Sequence, residues 1–233
     1  MEPEERWKTA AIAMASDVKV QMLGDSGEKA TPYVVDRNTV QSIISDWPAM
    51  SKKSAVLTME QYGRPNEAVP SRLIWYSNGP WKRTIVYRDE IAHDFPQPHT
   101  DVIEQFIDYK VPPEKFSELA KFDGSVIVER TKGEVSSRCD MEAANILSLN
   151  LMHEIVTGKL NAEKAREIYC EVTSAYMMNR PAPYAERLQF DVPVGGTVDT
   201  DVVMIGNAMV HQTVQKVKDS VNPDEGNNGG VYH

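Results

Sequence analysis

The densest group of side chains able to ligate a metal or move a proton lies between residues 93 and 104, where His93, Asp94, His99, Asp101 and Glu104 share one short stretch. Imidazole and carboxylate together suit zinc and non-haem iron. His93, His99 and Asp101 are therefore the candidate metal ligands, with His153 or Glu142 as a ligand from elsewhere. The spacing matches neither H-E-x-x-H nor Glu-x-x-His. A purely structural reading competes with it. "AHDFPQPHTD" reads as an irregular, proline-bearing loop, and Asp101 with Glu104 as the acidic first turn of a helix through about Tyr109, where carboxylates are favoured by the helix dipole.

A second chemistry is suggested by the runs "SRLIWYS" and "WKRTIVYR", joined at Asn78-Gly79-Pro80 as a hairpin with a three-residue loop. Its aromatics Trp75, Tyr76, Trp81 and Tyr87 interleave with Arg72, Lys82, Arg83 and Arg88. Strand alternation sets Trp81, Arg83, Ile85 and Tyr87 on one face and Lys82, Thr84, Val86 and Arg88 on the other. A cationic, aromatic surface suits an acidic peptide, a glycan or another anionic group. Trp75, Tyr76, Trp81, Arg83, Tyr87 and Arg88 are the candidate binding residues. The alternative is that one face packs on a helix and the other is merely solvated.

Other reactive residues carry less. Ser125, Ser136 and Ser137 lie in or beside a second hairpin without a G-x-S-x-G elbow. Cys139 precedes a helix but has no identifiable histidine partner, so it reads as structural. His153 shares a helix face with Ile146, Leu149 and Val156, which marks it as a core histidine. "VQMLGDSGEKATPY" resembles a phosphate loop only superficially. Counting from Gly24, the template wants Gly at 29 and Lys at 30, but the chain has Lys29 and Ala30. Pro32 also biases Thr31 away from the helix that should open there. No nucleotide site is expected.

The elements that must position these residues are of mixed type. A short helix is expected around Trp7 to Ala15, another after a capping Asp36, and a third over Ser51 to Tyr62 that stops at Gly63. After the first hairpin come helices at 101–109 and 114–122, then a second hairpin turning at Lys132-Gly133. Asp140 caps a helix to Thr157, and Asn161 caps another to Asn179. The short link between these two makes an antiparallel helical hairpin. A linker-like stretch, a helix over 201–219 and a disordered tail over 220–233 complete the chain. Without strict β-α alternation the fold class is α+β, with small antiparallel hairpins or a sheet packed against helices. The expected division is an N-terminal segment 1–35, a core domain 36–190, a linker and helix 191–219, and the tail.

Composition narrows the partners. A net charge of −9 disfavours nucleic acid or an anionic membrane surface. With 41% hydrophobic residues the chain of 233 can bury a core without disulfides. No apolar run approaches a transmembrane span. The acidic N-terminus lacks a signal-peptide pattern, so a cytoplasmic location is expected, or the cell envelope if a leader has been removed. Cys139 and Cys170, the only two cysteines, fall at different heights on the helical hairpin and read as reduced thiols.

Met59 to Asp89 carries a further rhythm: a helix ends in Gly63-x-Pro65, a polar run follows, then a strand with Trp75-Tyr76. This unit resembles the BamE-like (SmpA/OmlA) domain of small outer-membrane lipoproteins, although the aromatics are adjacent here and that family's lipid-modified N-terminal Cys is absent. The resemblance implies a non-enzymatic assembly or binding role in a cell envelope. Two functions of different class follow. The leading expectation is a non-enzymatic module that captures a protein partner through the aromatic-basic hairpin and needs no cofactor. The alternative is a small metal-dependent enzyme using zinc or iron at residues 93–104.

Overall fold

The computed structural model describes residues 2–24 and 28–204. Residues 1–199 form one unit and residues 200–233 a second. The helix expected over 201–219 and the tail lie almost wholly outside the described residues. The fold is α+β: an antiparallel six-stranded sheet accompanied by seven helices among the described residues.

The chain opens with α1 (Pro3–Leu23), longer than the helix expected at 7–15, with none of its residues buried. No described helix is long and apolar enough to cross a membrane. In α2 (Arg37–Ile44) the Asp36 side chain accepts from the Thr39 N–H, as its position before an apolar-periodic run predicts. Next, α3 (Ala49–Tyr62) ends at Gly63, whose φ of 80° favours glycine.

The strands are β1 (Glu67–Val69), β2 (Arg72–Asn78), β3 (Trp81–His93), β4 (His99–Asp108), β5 (Val126–Glu129) and β6 (Glu134–Cys139), in the order β1-β2-β3-β4-β6-β5. The β2–β3 connection is tighter than expected, since Asn78 pairs with Trp81 across Gly79 and Pro80 alone. Two expectations are corrected here. Residues 101–108 form β4, not a helix, and the irregular loop shrinks to residues 94–98 because β3 runs on to His93. The cause is burial on both faces. Residues Asp101 to Ile107 are all buried, so the segment does not alternate as a half-buried strand does, and its polar members Asp101, Glu104 and Gln105 find hydrogen-bond partners inside.

Two clusters pack the sheet. Val40, Ile44, Trp47 and Ala55 of the α2–α3 region meet Leu73, Trp75, Val86 and Ile103. Over the other half, α5 (Glu142–Val156) brings Leu147, Leu149, Met152 and Ile155 onto Ile107, Val135 and Phe122. A 3-10 turn (Pro113–Lys115) leads into α4 (Phe116–Phe122), and α6 (Ala162–Met177) packs on α5 with Asn161 accepting from the Lys164 N–H. The start of α5 differs from expectation: Met141, not Asp140, is the capping residue.

Because α5 is buried almost all round, its polar residues must find partners inside. Asn145 donates to the Ile103 carbonyl and to Gln105. Asn150 donates to the carbonyls of Tyr184 and Arg187 and accepts from the Gln189 N–H. This ties down α7 (Pro183–Glu186) in a stretch that reads as a linker from sequence.

Candidate metal centre

The turn into strand β4 is what assembles the site. On a strand, residues two apart face the same way, so His99 and Asp101 project together. In the β3–β4 register His93 lies directly opposite His99. The hairpin therefore gathers all three side chains at its closed end, joined by residues 94–98 with a cis Phe95–Pro96 peptide. One donor atom from each of His93, His99 and Asp101 lies within 4.8 Å of the others.

The distances are short. Asp101 Oδ1 stands 3.4 Å from His93 Nδ1 and 3.2 Å from His99 Nε2. Asp101 is 1% exposed, yet its Oδ1 makes no aligned hydrogen bond, the 3.2 Å approach having the length of one without its angle. Its Oδ2 accepts from Ser125 Oγ at 2.5 Å, with Arg138 Nε 3.9 Å away. His99 Nδ1 sits 2.8 Å from the Gln97 carbonyl, which can only accept, so that nitrogen carries the proton. His99 Nε2 thus faces both Asp101 Oδ1 and, at 3.3 Å, Cys139 Sγ.

Around this core stand groups that sequence reasoning missed. Asp123, ahead of β5, places Oδ1 3.8 Å from His93 Nε2, accepts from the Ser125 N–H, and takes Ser148 Oγ on its other oxygen. Cys139 ends β6 opposite Ile103. Neither Asp123 nor Cys139 has a local spacing signal linking it to His93. They arrive through strand order, with β6 inserted between β4 and β5.

Electrostatics follow from crowding charge in a buried place. Asp101, then Cys139, hold the His99 imidazolium up to about 11. Burial would raise Asp101, but the close approach of His99 and the Ser125 hydrogen bond outweigh it and hold the carboxyl below its usual range. Burial dominates at Asp123 and raises it, against the Ser125 N–H and the His93 charge. The Cys139 thiol is likewise pushed up by burial, His99 opposing.

The other sequence candidates lie elsewhere. Glu104 faces away from the cluster, accepting from Tyr87 and Ser136. Glu142 accepts from Trp81, Gln105 and Tyr62. His153, half-buried, bonds Tyr109 at 2.8 Å and stacks on Phe190 at 4.4 Å. Cys170 is exposed on α6, and neither cysteine is in a disulfide.

The aromatic-basic hairpin departs from a displayed surface. Trp75 and Trp81 are buried, Trp75 donating to the Gly63 carbonyl and Trp81 to Glu142. Arg83 is buried too, held bidentate by Glu134 and lying over the Phe106 ring. Tyr87 and Tyr76 are half-buried, bonded to Glu104 and Glu67. Arg88 is exposed and pairs with Asp89. The reason is position: β2 and β3 are inner strands, and α3 packs on β3. Comparisons of the chain with protein-family models, with curated proteins and with solved structures find no match.

Proposed function

We propose that His93, His99 and Asp101 hold a divalent zinc or iron ion and that the protein is a small metal-dependent enzyme. The observation carrying this reading is the buried Asp101 Oδ1, without a hydrogen bond between two imidazole nitrogens. Without an ion the His99 imidazolium faces the carboxylate; a cation entering between them would displace the Nε2 proton, leaving His99, still protonated on Nδ1, and Asp101 Oδ1 turned to the same ion. Donors bound to one zinc at about 2.0–2.2 Å sit roughly 3.0–3.5 Å apart, which the 3.2 and 3.4 Å separations match. Two histidines and one carboxylate leave positions for water and substrate, as catalytic centres do. Cys139 lies outside the close set, so the site is not a closed four-ligand one. Hairpin-mediated capture of a protein has less support, since Trp75, Trp81 and Arg83 make internal contacts.

The test is metal content after loading with zinc(II) or iron(II) and gel filtration. Near one equivalent should remain on the wild-type chain and be lost in His99→Ala and Asp101→Asn. A wild-type chain that retains neither metal refutes the proposal. The cluster is then a His99–Asp101 ion pair, in which a proton on Nε2 answers the carboxylate.

A further inference from the structure

The imidazole of His99 borders a second feature. With Cys139 it lines a cleft of about 470 Å³, counting the open mouth, formed between the β3–β4 loop, α5, α6 and α7. The remaining wall is mostly apolar, with Ala143, Ala144 and Leu147 from α5 and Tyr169, Tyr176 and Met177 from α6. Among the described residues no Lys or Arg lines it, and Asp140 is the sole carboxylate. Tyr176 and Met177 are 41% and 63% exposed, leaving apolar surface at the cleft open to solvent.

We infer that this cleft receives the hydrocarbon part of the substrate, a molecule with an alkyl or aryl chain and an oxygen-bearing head that reaches the metal. The inference rests on the metal reading above. Continuity supports it: His99 Nε2, the nitrogen facing Asp101, is 3.3 Å from Cys139 Sγ, and both residues line the cleft. The lining chemistry supports it as well, since an alkyl or aryl chain meets methyl, thioether and aromatic groups there.

The experiment uses the full chain loaded with the metal it retains, and two probes sharing one chelating head, acetohydroxamic acid and octanohydroxamic acid. Their affinities are measured by titration calorimetry on wild type, Ala144→Trp and Met177→Glu. Octanohydroxamate should bind wild type at least tenfold more tightly than acetohydroxamate. That chain-length gain should fall severalfold when a tryptophan fills the cleft or a carboxylate is set among its apolar groups. Met177 is largely exposed, so its variant remains informative if Ala144→Trp does not fold. Metal-loaded protein that binds both probes equally overturns the inference and leaves the metal reading standing. A chain-length gain unchanged in Met177→Glu and in any folded Ala144→Trp overturns it too, by placing the chain elsewhere. Protein that retains no metal overturns both together.

Discussion

Replacing Glu134 by Ala should cost far more than the loss of a surface ion pair. Its carboxylate takes Arg83 Nη1 at 3.0 Å and Nη2 at 2.6 Å, and Lys82 Nζ lies 3.2 Å away. The Arg83 and Glu134 side chains are 8% and 2% exposed, so solvent cannot replace the lost partner. Breaking such a buried pair from one side costs about 3–5 kcal/mol. Glu28, 2.6 Å from Arg83 but 32% exposed, still answers part of the charge. The lower end, about 3 kcal/mol, is therefore expected. At roughly 2–4 °C per kcal/mol for a domain of this size, Tm should drop by about 6–12 °C. Urea titration and thermal melts measure it. Arg83→Met combined with Glu134→Leu should cost much less than Glu134→Ala, because an apolar pair leaves no buried charge unanswered. The pH dependence has a definite sign. Burial would raise the Glu134 carboxyl, but the hydrogen bond and charge of Arg83 outweigh it and hold the group below its ordinary 4.5. Its contribution is full above about pH 4.5 and is lost as pH falls through the lowered folded value. The gap between wild type and Glu134→Ala should therefore close in acid. A loss under about 1 kcal/mol at neutral pH, or a double variant as unstable as the single one, would refute the reasoning.

Two further perturbations test the frame around the site. Glu142→Ala removes the acceptor of the buried Trp81 Nε1 and leaves Gln105 Nε2 only its long 3.5 Å bond to Thr84 Oγ1. At about 1–3 kcal/mol for each orphaned donor, the urea midpoint should fall clearly, and Glu142→Gln, which keeps one acceptor oxygen, should lose less; equal losses would argue against the acceptor role. Gly133 has φ +64°, and an added Cβ would overlap the Thr197 carbonyl and the Val198 nitrogen. Gly133→Ala should therefore release residues 197–199 and speed thermolysin cleavage at Val198, whereas unchanged cleavage would show that this close approach is not needed.

What could be read from sequence divides by range. Asp36, Gly63 and Asn161 end or begin helices as their side chains dictate, because a cap is decided within four residues. The β5–β6 turn at Gly133 is equally local, its φ of +64° favouring glycine. The donor types at 93–101 were legible, but their convergence was not. "DVIEQFIDY" sets apolar residues at 102, 103, 106 and 107, a helical spacing behind an acidic start, and only pairing with β3 and β6 makes it a strand. The hairpin at 72–88 was located correctly, but local alternation could not show that its tryptophans face packed helices. Asp123 and Cys139 joined the site through strand order, which no short window contains.

The β3–β4 register carries one more consequence. His93, His99 and Asp101 are held as a relation between two strands, not as a motif within either. Parity therefore guards them as firmly as identity does. Deleting a single residue of β4 beyond Asp101 while the rest of the strand stays paired would turn His99 and Asp101 to the opposite face. Every candidate ligand would still be present in the chain, and the site would be gone. The five-residue loop 94–98 is where length can change at least cost, since an insertion there lengthens the turn and leaves the cross-strand partners paired.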